Sequence, residues 1–268
     1  MTDQQKRTTL AGLRAKKTAG EKIVALTAYD CLTASLLAEC PVDFILVGDS
    51  VANVVLGYSS TLPMTMDEMV YHTKMVVRGA GGVPVIGDMP FLSYELSPEE
   101  ALRNAGRFIK EAGAAGVKVE GSIDVIPAIR KITSAHIPVL GHVGLKPQSV
   151  LELGGYKVQG RTESQARRIR AEARALEEAG VFAVVLECVP RAFAGRLSKA
   201  LRVPTIGIGA GPACDGQILV THDLLGWTEK PKKFVKPYAS VRAVAREAIT
   251  AFARDVKAGE FPDAEHSF

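Results

Sequence analysis

The chain has 268 residues and a mass of 28.6 kDa, with 47% hydrophobic and 23% charged residues. That is enough apolar surface for a core, and it excludes an intrinsically disordered chain. The formal net charge is +4. Residues 1–23 hold six basic and two acidic residues, and the rest of the chain is balanced at 27 against 27. A nucleic-acid binder carries its basic excess on a folded surface, so this placement argues against one. No apolar run approaches the ~18 residues of a membrane span. The N-terminus lacks the apolar stretch of a secretory signal, and Asp3 and Glu21 count against a transit peptide. The four cysteines, Cys31, Cys40, Cys188 and Cys214, form no C-x-x-C pair. They read as free thiols of a reducing compartment.

In chain order, residues 8–18 read as a helix ahead of the first strand, placed to close the bottom of a barrel. Val- and Ile-rich runs then recur at 22–29, 44–50, 83–89, 116–121, 138–145, 181–189, 204–211 and, more weakly, 217–221. Near-continuous apolarity is the mark of parallel strands covered on both faces. Helix-like stretches alternate with them. One spans 67–79 behind Thr65 as N-cap. A second starts at Ser97-Pro98-Glu99-Glu100, which combines a capping residue, an early proline and early acids, and ends near Gly113. A third runs over 163–179 and stops at Gly180. Its arginines are interleaved with glutamates, as on a solvated face.

About eight strand–helix repeats predict an α/β fold, a single (β/α)₈ TIM barrel over 1–268. Residues 1–20 form its N-terminal segment and helix, and 240–268 a C-terminal helix and tail. A doubly wound open sheet is the alternative. The connection 146–162 is long and glycine-containing. It reads either as a functional loop over the site or as a tolerated surface insertion.

Polar residues gather at the strand ends. The second run ends in Asp49-Ser50 and the third in Asp88. The fourth carries Lys118 and Glu120, the fifth His142 and the sixth Glu187. In a barrel the C-terminal strand ends line the active-site face. Lys118 and Glu120 are two apart and share one strand face. Asp49, Asp88 and Glu120 repel one another if crowded, and a hard divalent cation relieves this. An all-oxygen set favours Mg²⁺ over Zn²⁺. Lys118 beside the metal suits an anionic substrate. Glu187, on an apolar strand, is suited to a general base, against the alternative of a structural glutamate bonded to backbone. His142 reads as a proton relay or as a satisfied core histidine. The glycines of 207–211 have the wrong spacing for a dinucleotide fingerprint. They leave room either for packing or for a ligand. Cys188 reads as an inert thiol.

These residues lie in strings that resemble the ketopantoate hydroxymethyltransferase family. The strings are LTAYD at 26–30, VGDS at 47–50 followed by VVLG at 54–57, GDMPF at 87–91 and VKVEG at 117–121. They continue with GHVGL at 141–145, ECVP at 187–190, IGIGAG at 206–211 and CDGQ at 214–217. They run in order over residues 8–240. The resemblance implies a barrel of the phosphoenolpyruvate/pyruvate-like superfamily. It implies transfer of a hydroxymethyl group from 5,10-methylenetetrahydrofolate to 3-methyl-2-oxobutanoate, giving 2-dehydropantoate (ketopantoate) on the route to pantothenate and coenzyme A. By motif, Asp49, Asp88 and Glu120 match Mg²⁺ positions. Asp49, Ser50, Asp88 and Lys118 match substrate positions, and Glu187 matches the catalytic base. The family is cytoplasmic and homo-oligomeric, a decamer, with no nucleic-acid or membrane partner. The rival readings are a Mg²⁺-dependent C–C lyase or phosphonomutase of the same superfamily, and a non-catalytic keto-acid-binding barrel.

Overall fold

A computed structural model describes residues 9–155, 157–229 and 231–268. Thr8, the expected start of the first helix, and Lys6 and Arg7 of the basic segment lie outside the described residues. Eight parallel strands close into a barrel in sequence order. They are β1 (Ile23–Thr27), β2 (Phe44–Val47), β3 (Val85–Asp88), β4 (Gly116–Glu120), β5 (Val139–Gly144), β6 (Ala183–Glu187), β7 (Thr205–Ile208) and β8 (Gly216–Leu219). The open doubly wound sheet is therefore excluded, because β1 pairs with β8. Most strands are shorter than their apolar runs. The chain leaves the ladder at the top as soon as it reaches the polar ends, as at 48–50.

The helix starts follow local chemistry. Thr65 caps Met66–Gly79 in a reciprocal capping box with Glu68. Ser97 caps Pro98–Lys110 by accepting from the Glu100 amide. Thr162 and Gln165 form a second capping box on Glu163–Glu178.

Strand residues alternate between two apolar clusters. Ile45, Val47, Val85, Val117, Val119, Val139, Val143, Val184 and Leu186 face the helices. Ile23, Ala25, Phe44, Leu46, Ile86, Leu140, Val185, Ile206 and Ile218 fill the barrel interior. Leu13, on the helix Leu13–Ala19, is fully buried in that interior cluster. Burying a leucine contributes about 1.5–3 kcal/mol. Lys17 on the same helix donates to Ser198 O (2.7 Å), Val203 O (3.0 Å) and Asp215 Oδ2 (2.9 Å). The first helix thus plugs the strand N-terminal ends.

By packing, the chain forms two compact units, one ending at Leu219 and one beginning at Val220. The second contains the helix Val241–Ala258. Among the described residues no helix is long and apolar enough to cross a membrane. The space left by Gly207 is filled by protein: a Cβ there would lie 2.9 Å from Cys214 Sγ. At that position packing, and not a ligand, explains the missing side chain.

Candidate active site

Strand periodicity and register assemble the site. Asp88 stands opposite Lys118 across β3 and β4. Glu120 stands opposite His142 across β4 and β5, and Gly144 opposite Glu187 across β5 and β6. Successive same-face residues on a strand are two apart. Asp88, Lys118, Glu120, His142 and Glu187 therefore lie directly above the apolar interior. Gly144 has φ +100, and a Cβ there would collide with the Glu187 carbonyl oxygen. The missing side chain lets the Leu145 amide bond that oxygen at 2.9 Å, which fixes the end of β6. Asp49 and Ser50 follow β2, where the chain turns into the short helix Val51–Val54.

The contacts are dense and buried. The Lys118 ammonium donates to both oxygens of Asp88, at 2.7 and 2.9 Å. The Asp49 amide donates to Asp88 Oδ2 at 3.1 Å. Asp49, Asp88, Lys118, Glu120 and His142 are each no more than 5% exposed. Ser50 Oγ shares a hydrogen bond of 2.8 Å with the Tyr29 hydroxyl. His142 Nε2 lies 3.3 Å from Glu187 Oε2, and Nδ1 lies 3.7 Å from Glu120 Oε1. Among the described residues, neither ring nitrogen, nor Glu120 Oε1, has a partner in hydrogen-bond geometry. Buried polar atoms without partners are rare in native proteins and collect where a ligand or ion belongs. His142 is thus not a satisfied core histidine. The Glu187 side chain is 13% exposed, against 2% for His142, so it is the more reachable of the two.

The electrostatics follow from this crowding. Burial pushes the Asp88 carboxyl up to about 7; the Lys118 ammonium pulls it down, and the Asp49 charge adds to the rise. Burial also holds Glu120 well above the usual carboxylate range, with Asp49, Asp88 and Glu187 adding to the effect against Lys118. Lys118 is pulled down by its own burial. Asp88, Asp49 and Glu120 outweigh that pull and hold its pKa above the ordinary lysine value. Burial and then the Lys118 charge lower His142, so it is a neutral imidazole at neutral pH.

Two residues of the site carried no signal in the sequence. Gln148 sits in the connection 146–162, in a short 3₁₀ turn Pro147–Ser149, and is buried. Its amide nitrogen donates to Asp49 Oδ2 (2.9 Å) and Met89 O (3.0 Å). Its amide oxygen accepts from the Tyr94 hydroxyl at 2.7 Å, and its backbone N–H donates to Glu120 Oε2 at 3.2 Å. The Met89 carbonyl can only accept, which fixes which way the amide points. The connection is therefore part of the site and not a neutral insertion. Tyr94 is buried, and burial followed by the Glu120 charge raises its pKa well above the ordinary tyrosine value. It stays a phenol and keeps its donor role.

Among the described residues, no three Asp, Glu, His or Cys side chains converge closely enough to hold a metal ion on their own. Asp49, Asp88 and Glu120 share one layer, but Asp88 is held by Lys118, and Asp49 and Glu120 by Gln148. When all are ionised, three carboxylates face one ammonium. The layer then lacks two positive charges, which a single divalent cation supplies. Mg²⁺ is commonly held by one or two carboxylates together with waters and substrate oxygens. The donor set therefore fits Mg²⁺ without a three-carboxylate cage.

A family model described as ketopantoate hydroxymethyltransferase matches residues 7–264. The 3-methyl-2-oxobutanoate hydroxymethyltransferase of Moorella thermoacetica is 54% identical over 266 residues, covering 99% of each chain. The enzyme of the same name from Geotalea daltonii is 52% identical, covering 98% of this chain and 99% of its own. Among solved structures, a phosphonopyruvate hydrolase complex with oxalate and Mg²⁺ aligns with a TM-score of 0.62 at 15% identity, over 97% of this chain and 93% of the other. A 2,3-dimethylmalate lyase of the PEP mutase/isocitrate lyase superfamily aligns with a TM-score of 0.59 at 19% identity, over 97% and 92%. At such identities the structures establish a shared barrel fold. The full-length sequence matches establish more: this chain belongs to the ketopantoate hydroxymethyltransferase family.

Proposed function

We propose that this protein transfers a hydroxymethyl group from 5,10-methylenetetrahydrofolate to 3-methyl-2-oxobutanoate, forming 2-dehydropantoate. The observation that carries this reading is the buried layer of Asp49, Asp88, Lys118 and Glu120 directly beside the reachable Glu187. A 2-oxo acid brings a carboxylate and a keto oxygen, a chelating pair for Mg²⁺. When bound beside Asp49, Asp88 and Glu120, the metal supplies Lewis-acid polarisation of the keto group. The remaining work falls to side chains of the chain itself. Lys118 neutralises the substrate carboxylate, and the Ser50 hydroxyl, oriented by Tyr29, donates to it. Glu187 takes the C3 proton; water displaces both nitrogens from the donor's methylene carbon, releasing tetrahydrofolate and leaving that carbon as a carbonyl, C3 bonds it, and the new alkoxide takes a proton back. Neutral His142, 3.3 Å from Glu187 Oε2, is placed to receive or return that proton.

The test separates binding from proton removal. Glu187→Gln should bind 3-methyl-2-oxobutanoate with Mg²⁺ as the unaltered enzyme does. It should lose C3 hydrogen exchange in deuterated water by a factor on the order of 10²–10⁴. Unchanged exchange in the variant would overturn the role of Glu187. Failure of the unaltered enzyme to form 2-dehydropantoate from the two substrates would overturn the function.

A further inference from the structure

Among the described residues, three that are not glycine hold a positive φ: Leu92 at 64°, His136 at 63° and Cys188 at 47°. Leu92 and His136 are exposed. Cys188 is buried, and it directly follows Glu187 at the end of β6. The left-handed well is narrow for a residue with a Cβ and costly for all but glycine. Such strain persists only where the surroundings over-determine the backbone. Three hydrogen bonds do so here. The peptide joining Glu187 to Cys188 is held at both ends: its carbonyl accepts from Leu145 N–H, just past β5, at 2.9 Å, and its N–H donates to Ile208 O, on β7, at 2.8 Å. The Cys188 carbonyl accepts from Gln159 N–H at 2.9 Å. Along an extended strand the N–H and C=O of one residue point to the same neighbour. The left-handed turn instead sends Cys188 N–H to β7 and its C=O to the connection that follows β5.

We propose that Cys188 is a positioning residue, whose left-handed backbone, locked between β7 and the connection 146–162, sets the direction in which Glu187 meets C3 of the substrate. The inference rests on the role of Glu187 proposed above and adds what keeps that carboxylate on target. The nearby His142 Nε2, at 3.3 Å and outside hydrogen-bond geometry, does not fix it. The aim therefore falls to the backbone. A glycine at 188 would take this φ without strain and would also rotate freely out of it. A Cβ confines the residue to the narrow well, so strain is exchanged for a fixed direction. The backbone carries this role, and the thiol does not.

The experiment reads C3 hydrogen exchange in deuterated water, the keto-acid KM of that exchange and the metal-free melting temperature in three variants. Cys188→Ala, the conservative variant, keeps the Cβ and should exchange as fast as the unaltered enzyme. Cys188→Gly releases the strain, so it should melt no lower than the unaltered protein. Its exchange should nevertheless be about tenfold slower at an unchanged keto-acid KM, as for a base that has lost its aim. Cys188→Val is β-branched and cannot hold the left-handed well, so it should exchange about 10²-fold more slowly and also melt lower. A glycine variant that exchanges as fast as the unaltered enzyme would overturn the proposal. So would an alanine variant as slow as the glycine one, or exchange rates that follow melting temperature across the set. Exchange that persists in Glu187→Gln would instead overturn the role of Glu187 on which the inference rests.

Discussion

The barrel interior divides into two halves that obey different physics. Three strands cross the divide, each with an apolar residue followed two positions later by a polar one on the same face. The pairs are Ile86 and Asp88 on β3, Leu140 and His142 on β5, and Val185 and Glu187 on β6. Below, Leu13, Phe44, Ile86, Leu140 and Ile206 stabilise the fold by removing apolar area from water. Above, Asp49, Asp88, Glu120 and Lys118 are buried with an excess of like charge, which works against stability. Neither half is local to one strand. The lower half and the helix-facing shell supply the stability that lets the upper half stay frustrated and ready for ligands.

The largest expected effect tests the lower half. Leu140→Ala should cost about 2–5 kcal/mol of unfolding free energy, read from urea titration with an unchanged slope. Turnover per folded molecule should stay near that of the unaltered enzyme. A large loss of kcat with little loss of stability would show that the two halves are not separable.

Glu120→Gln should do the reverse. It keeps an oxygen to accept the Gln148 backbone N–H and removes one buried carboxyl from a crowded layer. The metal-free variant should melt no lower than the unaltered protein, while kcat/KM falls on the order of 10²–10³. A clear drop in melting temperature would assign Glu120 a structural role instead.

Gln148→Met sharpens the boundary from the loop side. The methionine fills the volume but removes both donors, leaving Asp49 Oδ2 and Met89 O without that partner. Mg²⁺ affinity by calorimetry and kcat/KM should both fall about 10–100-fold, as when the outer partners of metal-binding groups are removed. Tyr94→Phe, which removes only the bond to the Gln148 oxygen, should show a smaller loss in the same direction. If neither variant changes metal affinity, Gln148 is only a strut for the loop.

How much of this was legible in sequence depends on whether a residue looks out of place. The strands show themselves because Val- and Ile-rich runs such as 181–189 leave no other economical reading. Lys118 and Glu120 stand out because charges do not normally sit inside such runs. The register that sets Asp88 beside Lys118, and Glu120 beside His142, follows once the barrel closes. Gln148 and Tyr94 were not legible, since a neutral polar residue in a loop is ordinary. Their meaning lies in contacts spanning 99 residues to Asp49 and 54 residues to each other. At Gly207, the one glycine within β7, the structure decides between packing and a ligand in favour of packing, because the gap is filled by Cys214 from further along the chain.

The smallest effect is a pH dependence that sets the halves against each other in one titration. Burial raises Asp88 to about 7 in the folded protein, from 3.8 in the absence of structure. The folded state therefore holds this proton more tightly than the unfolded state. Its favourable contribution is complete below about pH 4 and is lost as pH rises through about 7. Nothing in the apolar lower half titrates there, so this loss of metal-free stability, spread between about pH 4 and 7, comes from the upper layer. A divalent cation beside Asp88 competes with the same proton. Mg²⁺ affinity should then rise about tenfold from pH 6 to 8, and the stabilisation it confers should grow over that window. Asp88→Asn should flatten the metal-free slope. Mg²⁺ affinity that does not change with pH in the unaltered enzyme would place the ion away from Asp88.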